Sequence, residues 1–321
     1  DGHYLTRSCT CIDQHEPVAT AALEAGYHVV CEKPVAGTIA EAQRMREARD
    51  RSGNLLTIGY QNIFCPAIQR IKKLARSGEL GRLQRARTYA VWPRSSVYYG
   101  RNYWAGKLEV NGRKIYDSPM QNATAHFLTN MLYIAGPSAQ ESAYPVDVYG
   151  ENYRAKDIES ADTQYIRLRT DTGVSIQFAV SHAVEKKEGP VTVFSFENGY
   201  VQWNQEGNGR SAVYRGTDED AECIARFDNG ETRIQDYVFI NTLEAIDNNG
   251  TPLCTIDNAL QHTVCINKSF ESSGGIATIP QSCTEKKSVE TEDYAGVTGE
   301  GAYNIVVPGL EGRIRRMHET Q

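Results

Sequence analysis

The stretch Gly26-Tyr27-His28-Val29-Val30-Cys31-Glu32-Lys33-Pro34 sets a short apolar strand directly before an acid, a base and a proline. A lysine at the carboxyl end of a parallel strand lies where doubly wound sheets bind their ligands. Pro34 also restricts Lys33 to extended backbone geometry, which holds the chain stiffly around the amine. Because an isolated Glu-Lys-Pro is equally compatible with a solvated strand end, the interpretation depends on the flanking sequence.

Strands and helices alternate on both sides of this stretch. The apolar pattern predicts strands over residues 4–10, 28–31 and 55–60, and helices over residues 16–25, 38–52 and 66–77. Pro17 is expected in the first turn of the first helix, and Thr38 with Glu41 predicts a capping box at the start of the second. The three helices are expected to end at Gly26, Gly53 and Gly78. This alternation predicts an α/β fold with a parallel sheet and right-handed crossovers.

Several motifs follow one another in a specific order along the chain. They are Thr10…His15-Glu16-Pro17-Val18-Ala19, Ala22-Leu23-Glu24-Ala25-Gly26…Glu32-Lys33-Pro34, and Gly59-Tyr60…Pro66…Ser77-Gly78…Leu80-Gly81. Over roughly residues 1 to 280, this order resembles the Gfo/Idh/MocA oxidoreductases, the relatives of glucose–fructose oxidoreductase and inositol dehydrogenase. The resemblance implies a partial Rossmann-like parallel sheet in residues 1–83 that binds NAD or NADP. It further implies a substrate and oligomerisation domain in residues 84–321, with a large, open, mostly antiparallel sheet and a polar C-terminal tail.

The resemblance also implies a set of cofactor contacts, which are Thr10, His15, Glu32, Lys33 and Gln61. The chain departs from the family at its beginning, where relatives carry a Gly-x-Gly-x-x-Gly turn whose amides hold the pyrophosphate. No such turn precedes Thr10, and the nearest glycine pattern, Gly296…Gly299-x-Gly301, follows no strand. We expect a truncated chain that lacks the first βαβαβ portion of its nucleotide domain, and the alternative is a natural paralogue without the cofactor loop. The residue that would choose between NAD and NADP is missing in either case.

Composition restricts the class of protein. A chain of 321 residues can bury a substantial core and form two domains. The net charge of -6 provides no excess of basic residues for binding nucleic acid, so no nucleic-acid partner is expected. No apolar run approaches the ~18 residues of a membrane span, so no membrane contact is expected. The eight cysteines lack the spacing of a metal site, and the α/β pattern predicts free thiols in a cytoplasmic protein rather than disulfides.

The second informative stretch is Asp117-Ser118-Pro119-Met120-Gln121-Asn122-Ala123-Thr124-Ala125-His126. It predicts a capping box at Ser118 with proline at the first helical position, and a helix over residues 119–135. The side chains that would share one face of this helix are Asn122, His126 and Asn130. The alternative interpretation of His126 is a core histidine whose hydrogen bonds are satisfied.

The family resemblance implies a catalytic role for this helix. Relatives carry an Asp and a His four residues apart, beside the substrate carbon and near the lysine. His126 matches that histidine, while Asn122 takes the acidic position, where an amide supports an imidazolium less well. The candidate catalytic residues are therefore Lys33, His126 and Asn122. His126 is expected to accept the hydroxyl proton and a cationic Lys33 to stabilise the alkoxide, unless a neutral Lys33 is itself the base.

The rest of the sequence predicts mainly sheet. Strands are predicted over residues 84–92, 143–149, 163–169, 174–181 and 191–196, a late helix over 257–272, a loop over 286–295 and a solvated Arg-rich tail. Residues 92–104 are rich in aromatic and basic side chains, which suits contact with a sugar or polyol and equally packing on the sheet or on another subunit. The candidate substrate contacts are Trp92, Arg94, Arg101, Trp104 and His182, the last equally compatible with the core. A homo-oligomer through the open sheet is expected.

Three functions remain open at this point. The first is NAD(P)-dependent oxidation of a CH–OH group in a sugar, cyclitol or related polyhydroxy compound. The second is a related NAD-dependent glycosidase or lyase without net redox change. The third is a non-catalytic binding or regulatory paralogue, which the missing glycine turn and Asn122 suggest.

Overall fold

The computed structural model describes residues 4–204, 211–218, 220–289 and 301–320. Its first part consists of β1 (Leu5–Ser8), α1 (Ile12–Glu24), β2 (His28–Cys31), α2 (Ile39–Ser52), β3 (Leu56–Ile58) and α3 (Pro66–Ser77). The strands form a parallel sheet in the order β1-β2-β3, with Leu5 opposite His28 and Val29 opposite Leu56. The predicted alternation of strands and helices is confirmed. Within the described residues β1 pairs on one side only, so the sheet has an open edge there.

Local sequence explains where α2 and α3 begin and end. The Thr38 side chain accepts the Glu41 backbone N–H, and the Glu41 carboxylate accepts the Thr38 backbone N–H, which confirms the predicted capping box. Gly53 and Gly78 follow the two helices with φ of 69° and 75°. Glycine adopts this left-handed geometry without steric cost, so both helices end where the sequence predicts.

Helix α1 differs from the prediction at its start. It begins at Ile12, so Pro17 lies inside the helix and not in its first turn. A proline at that position removes one backbone hydrogen bond. Tertiary contacts hold the first turn in place, because the buried His15 donates to the Pro34 carbonyl and the buried Glu16 accepts arginine side chains. At this helix, tertiary contacts therefore outweigh the preference of proline for the first helical turn.

The second part is built on a large sheet. Its elements are β4 (Leu83–Val91), α4 (Ser96–Gly100), β5 (Glu109–Val110), β6 (Arg113–Lys114), a π-helical turn (Pro119–Ala123), α5 (Ala125–Ala135), β7 (Pro145–Arg154), β8 (Thr163–Thr170), β9 (Ser175–Ser181), β10 (Glu188–Phe196), β11 (Gly199–Asn204), β12 (Ser211–Arg215), β13 (Glu222–Phe227), α6 (Asp236–Asp247), α7 (Ile256–Ser272), β14 (Ala277–Thr278), β15 (Glu285–Ser288), β16 (Tyr303–Val306) and α8 (Leu310–Thr320). In the described part of the chain this sheet has nine strands, in the order β13-β12-β11-β10-β4-β9-β8-β7-β14. Neighbours run antiparallel except β4 with β9 and β7 with β14, as expected for a mostly antiparallel sheet.

The core lies on one face of the large sheet. Alternate strand residues such as Ile166, Phe178 and Trp203 are fully buried, because successive side chains of a strand point to opposite faces. Helices α5 and α7 cover this face, and the ring of Phe127 in α5 stands edge-on to Phe178 at a centroid distance of 6.5 Å. Helix α7 contacts both β7 and α2, so it packs the two parts of the chain together.

The C-terminal segment is not the solvated tail that the sequence predicts. Helix α8 lies against β4 and β9, where Ile314 is buried and the His318 ring packs on Tyr89 at a centroid distance of 4.9 Å. The prediction was wrong because the arginines of this segment obscured an apolar stripe at Leu310, Ile314 and Met317, which helical periodicity places on one side.

Other predictions concern the chain near residue 290. The predicted loop over residues 286–295 begins inside β15, and residues 290–295 lie outside the described residues. Gly296 and Gly299 of the glycine pattern lie outside them as well. All eight cysteines are free. Among the helices that the structure describes, none combines the length and the apolar character needed to cross a membrane.

Candidate active site

Lys33 follows the carboxyl end of β2 and reaches the start of α5. Its amine donates two hydrogen bonds to Asn122, one to the backbone carbonyl and one to the side-chain Oδ1, each 2.8 Å long. The structure therefore brings together the two stretches that the sequence singled out separately. An ammonium has three N–H groups, and among the described residues no partner takes the third, which leaves one direction for a ligand.

The backbone around Asn122 is not the continuous helix that the sequence predicts. Pro119–Ala123 forms a π-helical turn, in which the Thr124 N–H donates to the Pro119 carbonyl at 2.9 Å. Helix α5 begins only after this turn. The wide turn takes the Asn122 carbonyl out of the regular helical ladder and presents it to Lys33. Such turns occur often at functional sites, because they redirect backbone and side-chain groups locally.

A buried carboxylate that the sequence analysis did not assign stands beside this pair. Asp117 is 3% exposed. Its Oδ1 accepts the Asn122 Nδ2 at 2.9 Å, and its Oδ2 accepts the Gly106 backbone N–H at 2.7 Å. One chain of hydrogen bonds therefore runs from the Lys33 amine through the Asn122 amide to the Asp117 carboxylate. The signal that could have found it is an acid directly before Ser118, at the helix start already chosen for its polar stripe.

His126 lies in the first turn of α5, close enough to Lys33 for the lysine charge to act on its ring. The ring is partly exposed, yet its Nδ1 is buried and has no hydrogen-bond partner within the described part of the chain. The Tyr60 ring stands edge-on to His126 at a centroid distance of 5.9 Å, and Tyr60 also contacts the ring of His262 at 5.5 Å. The predicted stripe is continuous only from His126 to Asn130, which lie four residues apart in α5. Asn122 belongs to the π-helical turn, and Asn130 is fully buried in the core.

Burial controls the proton affinities of the site. Loss of solvation lowers the pKa of Lys33 to about 8, while Glu32 and Asp117 favour the charged amine and Arg101 disfavours it. Burial together with the nearby Lys33 charge holds the pKa of His126 well below its usual range. Burial also raises the pKa of Asp117, against the hydrogen bonds that its oxygens accept. At neutral pH the His126 ring is therefore neutral, whereas Lys33 is close to its titration.

The residues that the resemblance assigns to the cofactor lie at one edge of the parallel sheet. Thr10, Glu32, Lys33 and Gln61 follow the carboxyl ends of the three strands, and all four are at least partly exposed. His15 differs from them, since it is 1% exposed and its Nδ1–H donates to the proline carbonyl after Lys33 at 2.7 Å. Its contacts therefore hold the backbone next to Lys33 rather than present a side chain to a ligand.

The polar side chains at this edge are compatible with a bound cofactor. Carboxyl ends of parallel strands are where such sheets bind their cofactors, and partly exposed polar side chains stand there. At Gly59 an added Cβ would lie 3.3 Å from the Glu32 Oε2, so the backbone closely approaches that side chain. The connection from β1 to α1 is Cys9-Thr10-Cys11, and the described residues include no glycine-rich turn of the kind that holds a pyrophosphate.

The aromatic and basic segment packs as a wall near the site. The Arg101 guanidinium lies 3.7 Å from the centroid of the Tyr98 ring and 4.9 Å from that of Trp104. The Arg94 guanidinium lies 5.1 Å from the Tyr98 ring. Such cation–π contacts fix the direction of both guanidinium groups, and each group also donates a hydrogen bond to a nearby backbone carbonyl, Arg94 to Pro93 and Arg101 to Tyr98.

Trp92 and His182 take different places in this wall. Trp92 packs edge-on against Phe127 of α5, the residue after His126, at a centroid distance of 5.9 Å. His182 is 1% exposed and is hydrogen-bonded to the Tyr99 hydroxyl at 2.9 Å. Trp92 therefore connects the wall to the helix of the site, whereas His182 supports the wall from beneath.

A cavity of about 720 Å³ lies next to this wall, bordered among others by Tyr99, Gly106 and Lys156. Lys33, Asn122 and His126 do not border it. Among the described residues, no three His, Cys, Asp or Glu side chains stand close enough to hold a metal ion. The candidate site is therefore located by the convergence of its ionisable groups rather than by the cavity.

Known proteins share both the sequence pattern and the fold. A family model described as an oxidoreductase family with an NAD-binding Rossmann fold, GFO_IDH_MocA, matches residues 6–60. Inositol 2-dehydrogenase of Salmonella typhimurium is 27% identical over 168 residues, which are 51% of this chain and 44% of that protein. A 1-carboxy-3-chloro-3,4-dihydroxycyclohexa-1,5-diene dehydrogenase of Comamonas testosteroni is 40% identical over 70 residues, or 22% of this chain and 18% of that protein. The chain matches less than half the length of these relatives.

The likeness of fold extends further along the chain. Levoglucosan dehydrogenase, solved in complex with NADH, has a TM-score of 0.72 at 16% identity, over 84% of this chain and 78% of that one. At this identity the likeness concerns the fold, which places a large sheet after a Rossmann sheet. The family match covers the parallel sheet and has Lys33 near its middle. Over residues 6–60 the chain is therefore similar to the NAD-binding Rossmann part of the Gfo/Idh/MocA oxidoreductase family.

Proposed function

We propose that the protein is an NAD(P)-dependent oxidoreductase that acts on a CH–OH group of a sugar, cyclitol or related polyhydroxy compound. The observation that carries this proposal is the contact of Lys33 with Asn122, beside His126, at the carboxyl edge of a parallel sheet. Relatives named inositol 2-dehydrogenase and levoglucosan dehydrogenase support the substrate class. When bound, the nicotinamide supplies the hydride acceptor, and the chain itself has to hold the hydroxyl and take its proton.

The geometry around Lys33 favours it as the group that exchanges the proton. Two of its N–H groups can stay bound to Asn122 whether the amine is charged or neutral. The third position around the nitrogen carries a proton in the ammonium and a lone pair in the amine, and it is the position left for the substrate hydroxyl. With a pKa of about 8, the amine can take up this proton near neutral pH.

His126 suits a second contact with the same hydroxyl. Its depressed pKa keeps the ring neutral, so one ring nitrogen donates a hydrogen bond and the other accepts one. A neutral ring adds no charge repulsion when Lys33 becomes protonated. This assignment reverses the roles that the family resemblance implied, in which His126 takes the proton.

The aromatic wall suits a polyhydroxy substrate. Trp104 offers an apolar face, and Arg94 and Arg101 hold polar, positively charged groups in a fixed direction against the aromatic rings. Sugar rings combine apolar C–H faces with hydroxyl groups, so a surface of aromatic rings and guanidinium groups can bind both. Specificity among sugars and cyclitols would then depend on which hydroxyl reaches Lys33.

The test is oxidation of a panel of sugars and cyclitols with NAD and with NADP, followed by the absorbance of the reduced nicotinamide. We expect the intact protein to oxidise at least one of these compounds. Lys33→Met should lower kcat by ~10²–10⁴-fold, the usual contribution of a positioned acid–base group. The matched control is Lys73→Met, which removes an exposed lysine from α3 and should leave turnover unchanged.

The other functions predict different results in the same assay. A glycosidase or lyase would consume a glycoside without accumulating reduced nicotinamide, and a binding paralogue would hold its ligand without turnover. Either result, or full turnover in Lys33→Met, contradicts the proposal. His126→Ala separates the two roles, because it should lower kcat while kcat/KM still rises with pH through the titration of Lys33.

We also propose that copies of the protein associate through the face of the large sheet opposite α5 and α7, on the parts that α8 does not cover. Tyr149 of β7 is 43% exposed on this face, and Tyr200 and Tyr214 stack there with ring centroids 4.5 Å apart. Exposed aromatic side chains on one face are typical of protein interfaces. Sedimentation of the purified protein should give a dimer or a larger species, and a monomer at all concentrations would contradict this proposal.

A further inference from the structure

The hydrogen-bond chain that begins at Lys33 ends on a carboxylate that the proposed reaction does not touch. We propose that Asp117 is a positioning residue of this site, which acts through Asn122 to fix the Lys33 amine and to balance its charge. This inference deepens the proposed function and rests on it. It adds a nearby acid to a site in which Asn122 takes the acidic position that the resemblance implied.

The Asn122 amide can join its two neighbours in one orientation only. Its Oδ1 accepts from Lys33 at 2.8 Å, and its Nδ2 donates to Asp117 at 2.9 Å. A carboxylate at position 122 would bring two acceptor groups against each other, whereas the amide satisfies a donor on one side and an acceptor on the other. Asparagine at position 122 and aspartate at position 117 are therefore complementary, and the acid of the site stands five residues earlier than the resemblance implied.

Asp117 is held firmly enough to serve as a fixed point. Its second oxygen accepts the Gly106 backbone N–H at 2.7 Å. Gly106 has a φ of 71°, and an added Cβ would lie 3.0 Å from both Ile158 and Tyr99, so the turn that directs this N–H requires glycine. The carboxylate thus connects the end of the aromatic and basic segment to Lys33 through Asn122. This connection fixes the position of the Lys33 amine relative to the aromatic wall.

Charged and titratable groups face Lys33 from several elements. They are Glu32 beside it, Asp117, Arg101 of the aromatic segment, His126 of α5 and His262 of α7. Burial keeps both histidines neutral near pH 7, and Arg101 repels the ammonium. Glu32 favours the ammonium, but it shares its charge with Arg7 through an ion pair of 2.6 Å. Removing the Asp117 charge would therefore leave a partly buried ammonium with weaker compensation.

Asp117→Asn is the direct test, because it removes the charge and keeps an oxygen for the Gly106 N–H. We expect the Lys33 titration to move toward lower pH by about one unit, the order expected for one charge at this range. NMR of the side-chain nitrogen, assigned by its absence in Lys33→Met, follows the titration without substrate or cofactor. The pH at which kcat/KM rises should move in the same direction.

Asp162→Asn is the matched control. Asp162 is also buried and accepts two backbone N–H groups, of Ala155 and Lys156, each at 2.8 Å. It has no contact with Lys33, so its replacement should leave the Lys33 titration in place. An unchanged Lys33 titration in a folded Asp117→Asn protein overturns the proposal.

The exchange variant Asp117→Asn/Asn122→Asp keeps the proposal testable if the single variant does not fold. It returns a carboxylate to the amine and leaves an amide beside that carboxylate, so Lys33 should titrate at the wild-type pH or above it. If Lys33 titrates below the wild-type pH in this exchange variant, as expected for Asp117→Asn alone, the proposal is overturned. The Lys33 titration is measured without substrate, so it tests the role of Asp117 even if the protein shows no turnover. Turnover in turn tests the proposed function even if the Lys33 titration does not shift.

Discussion

The Lys33 amine should make the stability of the protein depend on pH in a way that one substitution removes. Burial lowers its pKa from 10.5 to about 8. This difference of about 2.5 units corresponds to about 3.4 kcal/mol at 1.36 kcal/mol per unit. A base with a lowered pKa destabilises the folded state while both states are charged, which is the case below pH 8. The destabilisation disappears between pH 8 and 10.5, where the unfolded chain binds more protons than the folded protein.

The measurable part of this difference is smaller than the full value. Between pH 7 and pH 10 the wild-type protein should gain about 2 kcal/mol in free energy of unfolding relative to Lys33→Met. The range ends at pH 10, where most of the unfolded lysine is still protonated. Lys33 also remains partly exposed, so water screens its charge. The two hydrogen bonds to Asn122 that the variant loses add a difference that stays nearly constant with pH.

Urea unfolding at closely spaced pH values measures this difference directly. Lys73→Met, which removes an exposed lysine from α3, is the control, and its stability should follow the wild type at every pH. If the curves of the wild type and Lys33→Met run parallel from pH 7 to pH 10, the amine is fully solvated in the folded protein. The reasoning that makes Lys33 a tuned base is then refuted.

Two further substitutions test the scaffold that holds the site. Lys72→Met should lower the free energy of unfolding by ~1–3 kcal/mol at pH 9, because the buried Lys72 amine donates to backbone carbonyls at and after the end of α5. The difference should shrink toward pH 6, because burial lowers the pKa of Lys72 to about 7 and the buried charge then opposes folding. Stability equal to that of Lys73→Met at pH 9 would show that these carbonyls find other partners. Gly150→Ala should lower the free energy of unfolding by ~1–3 kcal/mol, because an added Cβ would lie 2.1 Å from the Ser269 Oγ where β7 packs on α7. Gly100→Ala is the control, because an added Cβ at Gly100 would have no atom within 4 Å, and it should leave Tm in thermal unfolding nearly unchanged. If Gly150→Ala also left Tm unchanged, α7 would pack less closely on β7 than the structure indicates.

Polar groups behind the site reduce the stability of the core. The side-chain atoms of Asn130 and the Nδ1 atoms of His126 and His262 are buried, and none has a partner among the residues that the structure describes. A buried polar group without a partner costs about 1–3 kcal/mol. These groups lie directly behind the residues proposed to bind the substrate hydroxyl, where a core selected only for stability would place apolar side chains.

Local chemistry made part of this fold predictable. Thr38 and Glu41 predict the start of α2 because a hydroxyl and a carboxylate satisfy backbone donors that the helix leaves free. Gly53 and Gly78 predict helix ends because they adopt left-handed backbone geometry without a clash. Period-two alternation located β8 and β9 to within one residue at each end, because the two faces of the large sheet differ in burial.

The sequence by itself determined the order of strands and helices, the place of Lys33 after a parallel strand, and the helix start that carries Asn122 and His126. Only the tertiary structure decided that Lys33 binds Asn122 across 89 positions of sequence, and that Asp117 completes the chain. It also decided the π-helical turn and the packing of α8. Capping and alternation depend on neighbours along the chain, so a local pattern records them. A hydrogen bond between distant segments depends on how two sheets pack together, and the same local residues would be compatible with several such arrangements.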